Sequence, residues 1–413
     1  EFALLVPFLF GACAIGIAVM DPPERIAGHY AANLVGSGTG GALVVALMWV
    51  LRTEQLFVAL TVAALLSAAL ALPWRQSGRS ALAVAAATGL ALAAWFVSPP
   101  PAISEYKMLP LVLAMPGTRT LHRAEGPLGR LDVVAGPALH YAPGLSLQYT
   151  ELPPPHVLLI QDGDGVSAVY DCPKREDWAF LDFTTKAAPY RLRPPGKVLV
   201  IGAGGGSDIG LALHHGAAQV TALEVNPDVI SAMTGPLAAR GGAIYRASNV
   251  RVVEAEARGF LAASREVFDL IQLPEIEAFG ASGAGLYATQ ESYLYTVESF
   301  AAMLDHLAPG GILCVTRWAQ TPPRDGLKAF DTAAAAIRSR GGKTERQLAM
   351  LRSWATVSVL ASNESLSEED CRRLRSFCEA RSFDVCFLPD MRAAEENRYH
   401  VLDRPYYLSL IHI

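Results

Sequence analysis

Residues 197–208 read KVLVIGAGGGSD, an apolar run that is followed by a glycine-rich turn. An uninterrupted apolar run is typical of a strand in a parallel sheet, which is buried on both faces. Glycines permit a tight turn and let a ligand approach the backbone, and a following helix presents free N–H groups to that ligand. The segment therefore predicts a strand, a ligand-binding loop and a helix that begins at about Asp208. The candidate ligand contacts are Gly202, Gly204, Gly206 and Asp208.

The segments that follow continue this alternation of strands and helices. Buried strands are predicted in QVTALEVN (219–226), VRVVEAE (250–256), FDLIQLP (268–274) and GGILCVTRW (310–318), with the helix ESYLYTVESFAAMLDHL (291–307) before the last of them. Such an order is typical of a doubly wound, Rossmann-like α/β sheet. We assign this fold class to residues 194–400.

The residues after Trp318 are expected to extend the far edge of this sheet. DGLKAFDTAAAAIRSRGG (325–342) predicts a helix that two glycines stop, and SWATVSVLAS (353–362) and FDVCFLP (383–389) predict strands. Ser365 or Ser367 caps a further helix that runs to about Ala380, and Ser365 with Glu368 fits a capping box. Residues 401–413 are interpreted as a truncated tail.

Two acidic residues end successive predicted strands near the glycine loop. Glu224 follows the first glycine by about 20 residues, where a carboxylate accepts the hydroxyl groups of a ribose. Glu256 ends the next strand, where an acid can face the amino group of adenine. The dinucleotide pattern GxGxxG needs a glycine at Ser207, so an adenosyl ligand without a pyrophosphate fits better than NAD. The alternative is a nucleotide fold that has lost its ligand, with two ordinary surface carboxylates.

The N-terminal 98 residues have the character of membrane segments. Hydrophobic residues make up 52% of the chain, which is high for a soluble enzyme. Uncharged apolar runs, each near the length that crosses a bilayer, occupy residues 2–20, 31–51, 56–72 and 81–97. We predict about four transmembrane helices in residues 1–98. The alternative is four buried helices of a soluble all-α domain.

Between these runs and the glycine loop, the sequence predicts a linker and a small β-unit. Three consecutive prolines from Pro99 begin the linker, which is expected over residues 99–127. GRLDVVAG (129–136) and HVLLIQDGDGVSAVY (156–170) have strand character, and the second contains a turn signal. We therefore expect an antiparallel β-unit in residues 128–193, ending in a helix over 173–193 that packs at the mouth of the ligand site.

Charge and cysteine usage exclude some classes of function. The net charge of −5 provides no basic surface, so a nucleic-acid partner is not expected. The six cysteines form no CxxC pair and no histidine cluster has metal-ligand spacing, so we predict reduced thiols and no metal site. The chain starts within an apolar run and stops abruptly, and we interpret it as a fragment that is open at both ends.

At these residues the chain resembles the spermidine synthase family, in particular its membrane-fused bacterial relatives. The resemblance runs from about Leu128 to Trp318 and is carried by KVLVIGAGGGSD, VTALEVNPDVI, VRVVEAEARGFL, FDLIQLP and ESYLYTVESF. It implies a short β-domain before a methyltransferase-type Rossmann fold, with S-adenosylmethionine or its decarboxylated form as donor. It also implies that Glu224 holds the ribose and that Glu256 lies on the adenine side.

The resemblance changes at the position of the family's catalytic base. In the family, the fourth strand ends in an aspartate that takes the proton from the attacking amine, but Pro274 occupies this position and cannot act as a base. Glu275 and Glu277, in the same loop, are the candidate catalytic replacements. Asp182 stands in the place of the glutamate of the family's substrate-facing helix.

A loop rich in glycine, alanine and aromatic residues follows Glu277. It reads EAFGASGAGLYATQESYLY (277–295), and we interpret it as a substrate lid that carries Tyr287 and Tyr293, together with Tyr295. The alternative is an ordinary connection between a strand and a helix, with packed tyrosines.

Three functions are compatible with these features. The first is a membrane-anchored transferase that uses an adenosyl sulfonium donor, with aminopropyl transfer implied by the family resemblance. The second is an S-adenosylmethionine-dependent methyltransferase, and the third is a non-catalytic sensor or scaffold for the same ligand. The expected partners are a small-molecule acceptor, for example an amine, and membrane lipid. The sequence is also compatible with an oligomer. The expected location is the bacterial inner membrane, with the catalytic domain in the cytoplasm, where nucleotide-type cofactors are made.

Overall fold

The structure, a computed structural model, describes residues 2–20, 25–71, 78–97, 103–275, 293–404 and 406–407. It contains two compact units. The first unit comprises residues 1–102 with 125–129, and the second comprises residues 103–124 with 130–413.

The first unit is helical. Each of its helices overlaps one of the four apolar runs of the sequence: α1 (Phe2–Val19), α2 (Ile26–Met48), α3 (Thr53–Ala71) and α4 (Gly78–Val97). Helices α1 and α2 are in contact, α2 also contacts α3, and α3 packs along α4.

Helix α2 is the part of this unit that is best suited to a bilayer. It has 23 residues with a mean hydropathy of 1.5, enough in length and composition to cross a membrane. It buries none of its side chains, so its apolar surface faces outward. Among the described residues it is the one helix that meets both criteria, and the apolar part of α3 is shorter (Thr53–Ser67). The expectation of about four membrane spans stays a prediction.

The second unit begins with helix α5 (Met108–Leu113) and contains most of a four-stranded sheet. The strands lie side by side in chain order: β1 (Arg119–Gly126), β2 (Gly129–Ala135), β3 (His156–Gln161) and β4 (Gly165–Tyr170). Strands β2, β3 and β4 pair antiparallel. This β-unit therefore starts before residue 128, and the prediction of a linker over 99–127 is wrong for α5 and β1. Strand β1 lies at the edge of the sheet and half of its residues are exposed, so its sequence lacks a clear apolar alternation.

The segment from 173 to 193 is a series of short helical turns, not the single predicted helix. It contains 3-10 helices at Arg175–Phe183 and Thr185–Ala187, and helix α6 at Pro189–Leu192. The chain is extended at Thr184, with φ −120° and ψ 154°, and this residue separates the first two turns. The break places the side chain of Lys186 inside the unit, where it is buried.

An eight-stranded sheet forms the centre of the second unit. The strands are β5 (Lys197–Ile201), β6 (Gln219–Glu224), β7 (Val250–Glu254), β8 (Phe268–Leu273), β9 (Leu307–Trp318), β10 (Leu348–Arg352), β11 (Thr356–Ser362) and β12 (Asp384–Phe387). Their order in the sheet is β12-β10-β11-β9-β8-β5-β6-β7.

The strand directions define the place where a ligand can bind. Strands β7, β6, β5, β8 and β9 are parallel, whereas β11 is antiparallel to both β9 and β10, and β12 is antiparallel to β10. From β5 the chain winds through β6 and β7 on one side, then returns to β8 on the other. The carboxyl ends of β5 and β8 thus meet at a topological switch point, where open α/β sheets form their ligand crevice.

The central strand is buried on both faces, as its apolar sequence predicts. Val198 and Val200 join one hydrophobic core, and Leu199 and Ile201 join the core on the opposite face. The described helices that cover the sheet are α7 (Ser207–His214), α8 (Pro227–Thr234), α9 (Ala257–Ala263), α10 (Val297–Asp305), α11 (Arg324–Ser339), α12 (Thr344–Gln347) and α13 (Glu368–Glu379).

Three details after Trp318 differ from the sequence prediction. Helix α13 has Ser367 as its N-cap, with Asp370 completing the capping box, in place of Ser365 and Glu368. Strand β10 was not predicted, because four apolar residues and Arg352 without flanking turn signals resemble a continuing helix. In the predicted tail, Tyr407 is buried and its N–H donates a 2.7 Å hydrogen bond to Glu396 Oε1.

Candidate functional site

A cavity of about 340 Å³ lies at the carboxyl ends of β5, β6 and β8. This volume is within the range of small-molecule sites. The glycine loop, Glu224 and Glu256 line one part of it, and strands β3 and β4 of the β-unit line another. Three further charged residues line the same cavity: Lys186, Asp208 and Glu275.

The glycines of the loop have the backbone conformations that the sequence predicted. Gly202, Gly204 and Gly206 have φ values of 84°, 48° and 84°, a region that residues with a Cβ rarely adopt. At Gly205 the constraint is space, since a Cβ there would lie 2.0 Å from the carbonyl oxygen of Ala168. The loop therefore needs glycine for both conformation and close approach.

The β-unit holds this loop through strand β4. Ser167 Oγ accepts a 2.7 Å hydrogen bond from the N–H of Gly205. On the other side, the hydroxyl group of Tyr245 donates a 2.7 Å hydrogen bond to the carbonyl oxygen of Gly204. These two contacts fix the loop before any ligand enters, which lowers the entropy that binding must overcome.

Glu224 ends strand β6 and is connected to the glycine loop. Its Oε2 accepts a hydrogen bond from Gly204 N–H, and its Oε1 accepts one from Asn226 N–H, both at 2.9 Å. Burial raises the pKa of the carboxyl group, whereas these backbone hydrogen bonds oppose the rise. A carboxylate offers about four lone-pair positions, so two stay free to accept the hydroxyl groups of a ribose.

Glu256 has a structural task as well as a position on the cavity. It is the N-cap of α9, where Oε1 accepts the N–H of Arg258 at 2.9 Å and Oε2 accepts the N–H of Gly259 at 2.7 Å. The side chain is therefore fixed at the rim of the cavity by its own helix. Its unused lone pairs are available to an exocyclic amino group.

Lys186, Asp208 and Glu275 form a buried charged cluster, hereafter the acid–lysine cluster. Lys186 Nζ lies 3.0 Å from Asp208 Oδ2 and 3.8 Å from Glu275 Oε1. The three side chains are between 6% and 9% exposed. Asp208 Oδ1 and Glu275 Oε2 are buried and have no hydrogen-bond partner among the described residues.

The electrostatics of this cluster keep the lysine charged and make the glutamate more basic. Burial opposes the charge of Lys186, but the carboxylates of Asp208 and Glu275 outweigh it and raise its pKa to about 12. Burial raises the pKa of Glu275 above its usual value, and Asp208 adds to the rise while Lys186 works against it. A carboxylate with a raised pKa is a better proton acceptor near neutral pH.

The β-unit supplies apolar and aromatic walls to the same cavity. Tyr141, Leu159, Tyr170 and Leu181 line it, and the hydroxyl group of Tyr170 donates a 2.7 Å hydrogen bond to the carbonyl oxygen of Tyr141. Burial, together with the negative charge of Glu275, raises the pKa of Tyr141, so its phenol stays protonated.

Asp182 is turned away from this site, although the sequence predicts it as a substrate contact. It is absent from the described residues that line the cavity. Its Oδ1 lies 2.6 Å from His215 Nε2, and its Oδ2 lies 2.5 Å from Arg191 Nη2. Burial favours protonation of Asp182, but the hydrogen bond from His215 and the charges of Arg191 and His214 lower its pKa overall.

The side chains around Asp182 are relevant to the prediction that the chain has no metal site. Asp182, His214 and His215 bring potential ligand atoms within 4.8 Å of one another, a cluster that the spacing rule did not reveal. Arg191, however, binds the same carboxylate of Asp182. A guanidinium on the carboxylate would repel a cation, so these contacts fit an ion-pair network better than a metal centre.

The remaining predicted residues belong to the loop after β8. Glu277 and Tyr287 lie outside the described residues. Tyr293 is 60% exposed and lies near the guanidinium of Arg258, which is 6.0 Å from its ring centre. Tyr295 stacks with Arg317 at 4.1 Å, and neither tyrosine is among the described residues that line the cavity.

Sequence reasoning missed Lys186, Tyr141 and Ser167. Each lies in the β-unit or the helical turns after it, more than ten residues before the glycine loop. No local pattern distinguishes these residues from ordinary polar positions. The one available signal was a lysine inside an otherwise uncharged stretch, TTKAAPY (184–190).

The strand order, with the reversed β11 between β9 and β10, and the glycine loop at the switch point define a class I methyltransferase-like fold. The predicted fold class is thereby confirmed.

Comparisons with known proteins give the following result. No family model and no curated protein matches the chain. Spermidine synthase from Thermotoga maritima has a structure similar to 61% of this chain and 75% of its own, with a TM-score of 0.42 and 17% identity. The N-methyltransferase NodS from Bradyrhizobium japonicum aligns over 44% of this chain and 94% of its own (TM-score 0.30, 18% identity). Human methyltransferase-like protein 13, in complex with SAH, aligns over 51% and 93% (TM-score 0.32, 12% identity).

Proposed function

We propose that this protein is a membrane-anchored transferase that moves an alkyl group from S-adenosylmethionine, or from its decarboxylated form, to a small acceptor. The observation that carries the proposal is the pairing of two features in one cavity. Glu224, tied to the glycine loop, provides a place for the ribose of the donor. The acid–lysine cluster provides a proton acceptor in the same cavity.

The chemistry of such a transfer is simple. The acceptor heteroatom forms a bond to the carbon next to the sulfonium, and the carbon–sulfur bond breaks with its electron pair passing to sulfur. The sulfonium becomes a neutral thioether, and the acceptor proton goes to Glu275. Since the donor carbon is already activated, the protein needs mainly to align the reactants and to take the proton.

In this proposal Glu275 takes the role that the family assigns to the strand-end aspartate. It follows Pro274 directly and is held in the cavity by Lys186 at 3.8 Å. Aminopropyl transfer from the decarboxylated donor is our first choice, because the family resemblance extends over the β-unit and the nucleotide fold. Methyl transfer is the second, because Pro274 replaces the aspartate on which aminopropyl transfer in the family depends.

The membrane part of the proposal rests on α2 and on the apolar runs of the sequence. The length of α2 and its outward-facing apolar surface suit a bilayer. We place the protein in the bacterial inner membrane, with the second unit on the cytoplasmic side where the donor is made. Protease protection of inside-out and right-side-out membrane vesicles tests this orientation.

The function is tested with detergent-purified full chain and each donor, offered with a panel of amines and thiols. Aminopropyl transfer releases methylthioadenosine, and methyl transfer releases S-adenosylhomocysteine, so chromatography distinguishes the two. Tight donor binding with neither product would support a non-catalytic sensor or scaffold. Absence of binding for both donors would refute the proposal.

A further inference from the structure

The charges of the acid–lysine cluster do not cancel. Two carboxylates surround one ammonium group, with Lys186 Nζ at 3.0 Å from Asp208 Oδ2 and 3.8 Å from Glu275 Oε1. When all three groups are ionised, one negative charge is left. Because the side chains are at least 91% buried, solvent does not screen that charge effectively.

Two carboxylate oxygens of this cluster lack partners. Asp208 Oδ1 and Glu275 Oε2 are buried and accept no hydrogen bond from the described residues. Buried polar atoms are nearly always hydrogen-bonded. Two free acceptors beside a cavity therefore indicate a ligand that donates hydrogen bonds. An ammonium group both donates hydrogen bonds and neutralises one negative charge.

Among the described residues, the rest of this cavity provides no second position for a cation. The other charged residues among its described lining are Glu224 and Glu256, and each already accepts two backbone N–H groups and is assigned to the donor. The β-unit wall is mostly apolar or aromatic, and its polar members, Gln161, Ser167 and Thr184, carry no charge. A second ammonium would therefore meet either Lys186 or a described wall without a negative charge, and neither compensates its charge.

We infer that the acceptor is a primary monoamine on an apolar body, and that Lys186 is the specificity residue that excludes diamines. The lysine ammonium occupies the position that the second cation of a diamine would need. This inference rests on the proposed transferase function, of which it names the acceptor class.

The test uses two probes of equal length, n-butylamine and 1,4-diaminobutane, which carry one and two ammonium groups at neutral pH. Calorimetry measures their affinity for the full chain in detergent, with and without saturating methylthioadenosine. The wild type is expected to bind n-butylamine at least tenfold more tightly than 1,4-diaminobutane. Lys186→Met leaves two negative charges and is expected to bind 1,4-diaminobutane at least tenfold more tightly than n-butylamine. Lys186→Arg retains the positive charge and is expected to keep the wild-type preference.

The outcomes separate this inference from the proposed function. Binding of methylthioadenosine with a preference for the diamine in the wild type would overturn the inference alone. An unchanged preference in a folded Lys186→Met variant would do the same. If Lys186→Met does not fold, Asp208→Asn replaces it, and its n-butylamine affinity is expected to fall at least tenfold; unchanged affinity would count against the inference. If no adenosyl compound binds, the proposed function fails and the acceptor assignment fails with it, and the ratio of the two probes then tests only whether the cluster prefers one ammonium group to two.

Discussion

The N–H of Gly204 donates a 2.9 Å hydrogen bond to Glu224 Oε2, which ties the loop after β5 to the residue that ends β6. This contact joins the two features that the sequence presents 20 residues apart. It holds the carboxylate in place before a ligand enters, and in the proposed function it would set the ribose of the donor beside the backbone of the glycine loop.

Glu224→Gln is therefore expected to weaken donor binding by about 10- to 100-fold, since a hydrogen bond to a charged group contributes about 1.5–3 kcal/mol. The amide nitrogen of glutamine would also face the N–H of Gly204 or Asn226, both of which need an acceptor. Calorimetry with each donor measures the change. Glu254→Gln is the matched control, because Glu254 pairs with Glu224 across β6 and β7 but is exposed. Equal losses in both variants would contradict the assignment.

Gly205→Ala is expected to abolish donor binding and to lower thermal stability. The new Cβ would lie 2.0 Å from the carbonyl oxygen of Ala168, so strand β4 or the loop would have to move. Gly259→Ala is the control, since its nearest neighbour would be Glu256 Oε2 at 3.6 Å. This helical position should gain up to about 1 kcal/mol, because alanine has the higher helix propensity. Thermal unfolding and donor titration measure both, and normal binding by Gly205→Ala would show that the loop is not constrained in this way.

The rate of transfer is expected to fall on the acid side with a midpoint above the usual glutamate pKa. Burial raises the pKa of Glu275, and a base must be deprotonated to act, so activity is lost as the pH falls through this raised pKa. Glu275→Gln should lower kcat by about 100-fold or more while donor affinity stays within about twofold of the wild type. Glu277→Gln provides the comparison. If Glu277→Gln alone removes turnover, Glu277 is the base and the assignment of Glu275 is wrong.

Asp182→Asn is expected to lower the free energy of unfolding by about 1–3 kcal/mol at neutral pH, because it breaks a partly buried ion-pair network. The folded-state pKa of Asp182 is lowered from 3.8, so its stabilisation is present above that value and is lost as the pH falls through the folded pKa. Urea unfolding between pH 3 and pH 7 should show the difference between wild type and variant shrinking with acid. Asp331→Asn, at a site 74% exposed, should change stability by less than about 0.5 kcal/mol. A loss of acceptor affinity in Asp182→Asn at full stability would restore Asp182 as a substrate contact.

Much of the fold was readable from the sequence because it follows from local pattern. The apolar run before Gly202 is buried on both faces of the sheet, and the loop glycines adopt the positive φ values that their spacing indicated. Strand β1 and strand β10 were not readable, since an exposed edge strand and a five-residue buried strand carry too few positions to show a period.

The sequence by itself determined the alternation of strands and helices from β5 to β9, the glycine loop and the acid at the end of β6. These features depend on residues that are neighbours in the chain or repeat with a fixed period. Only the tertiary structure decided that Lys186 meets Asp208 and Glu275, and that Asp182 pairs with His215 and Arg191. Those contacts join segments from 9 to 89 residues apart, so they depend on how the β-unit, the helical turns and the sheet pack, which no local spacing encodes.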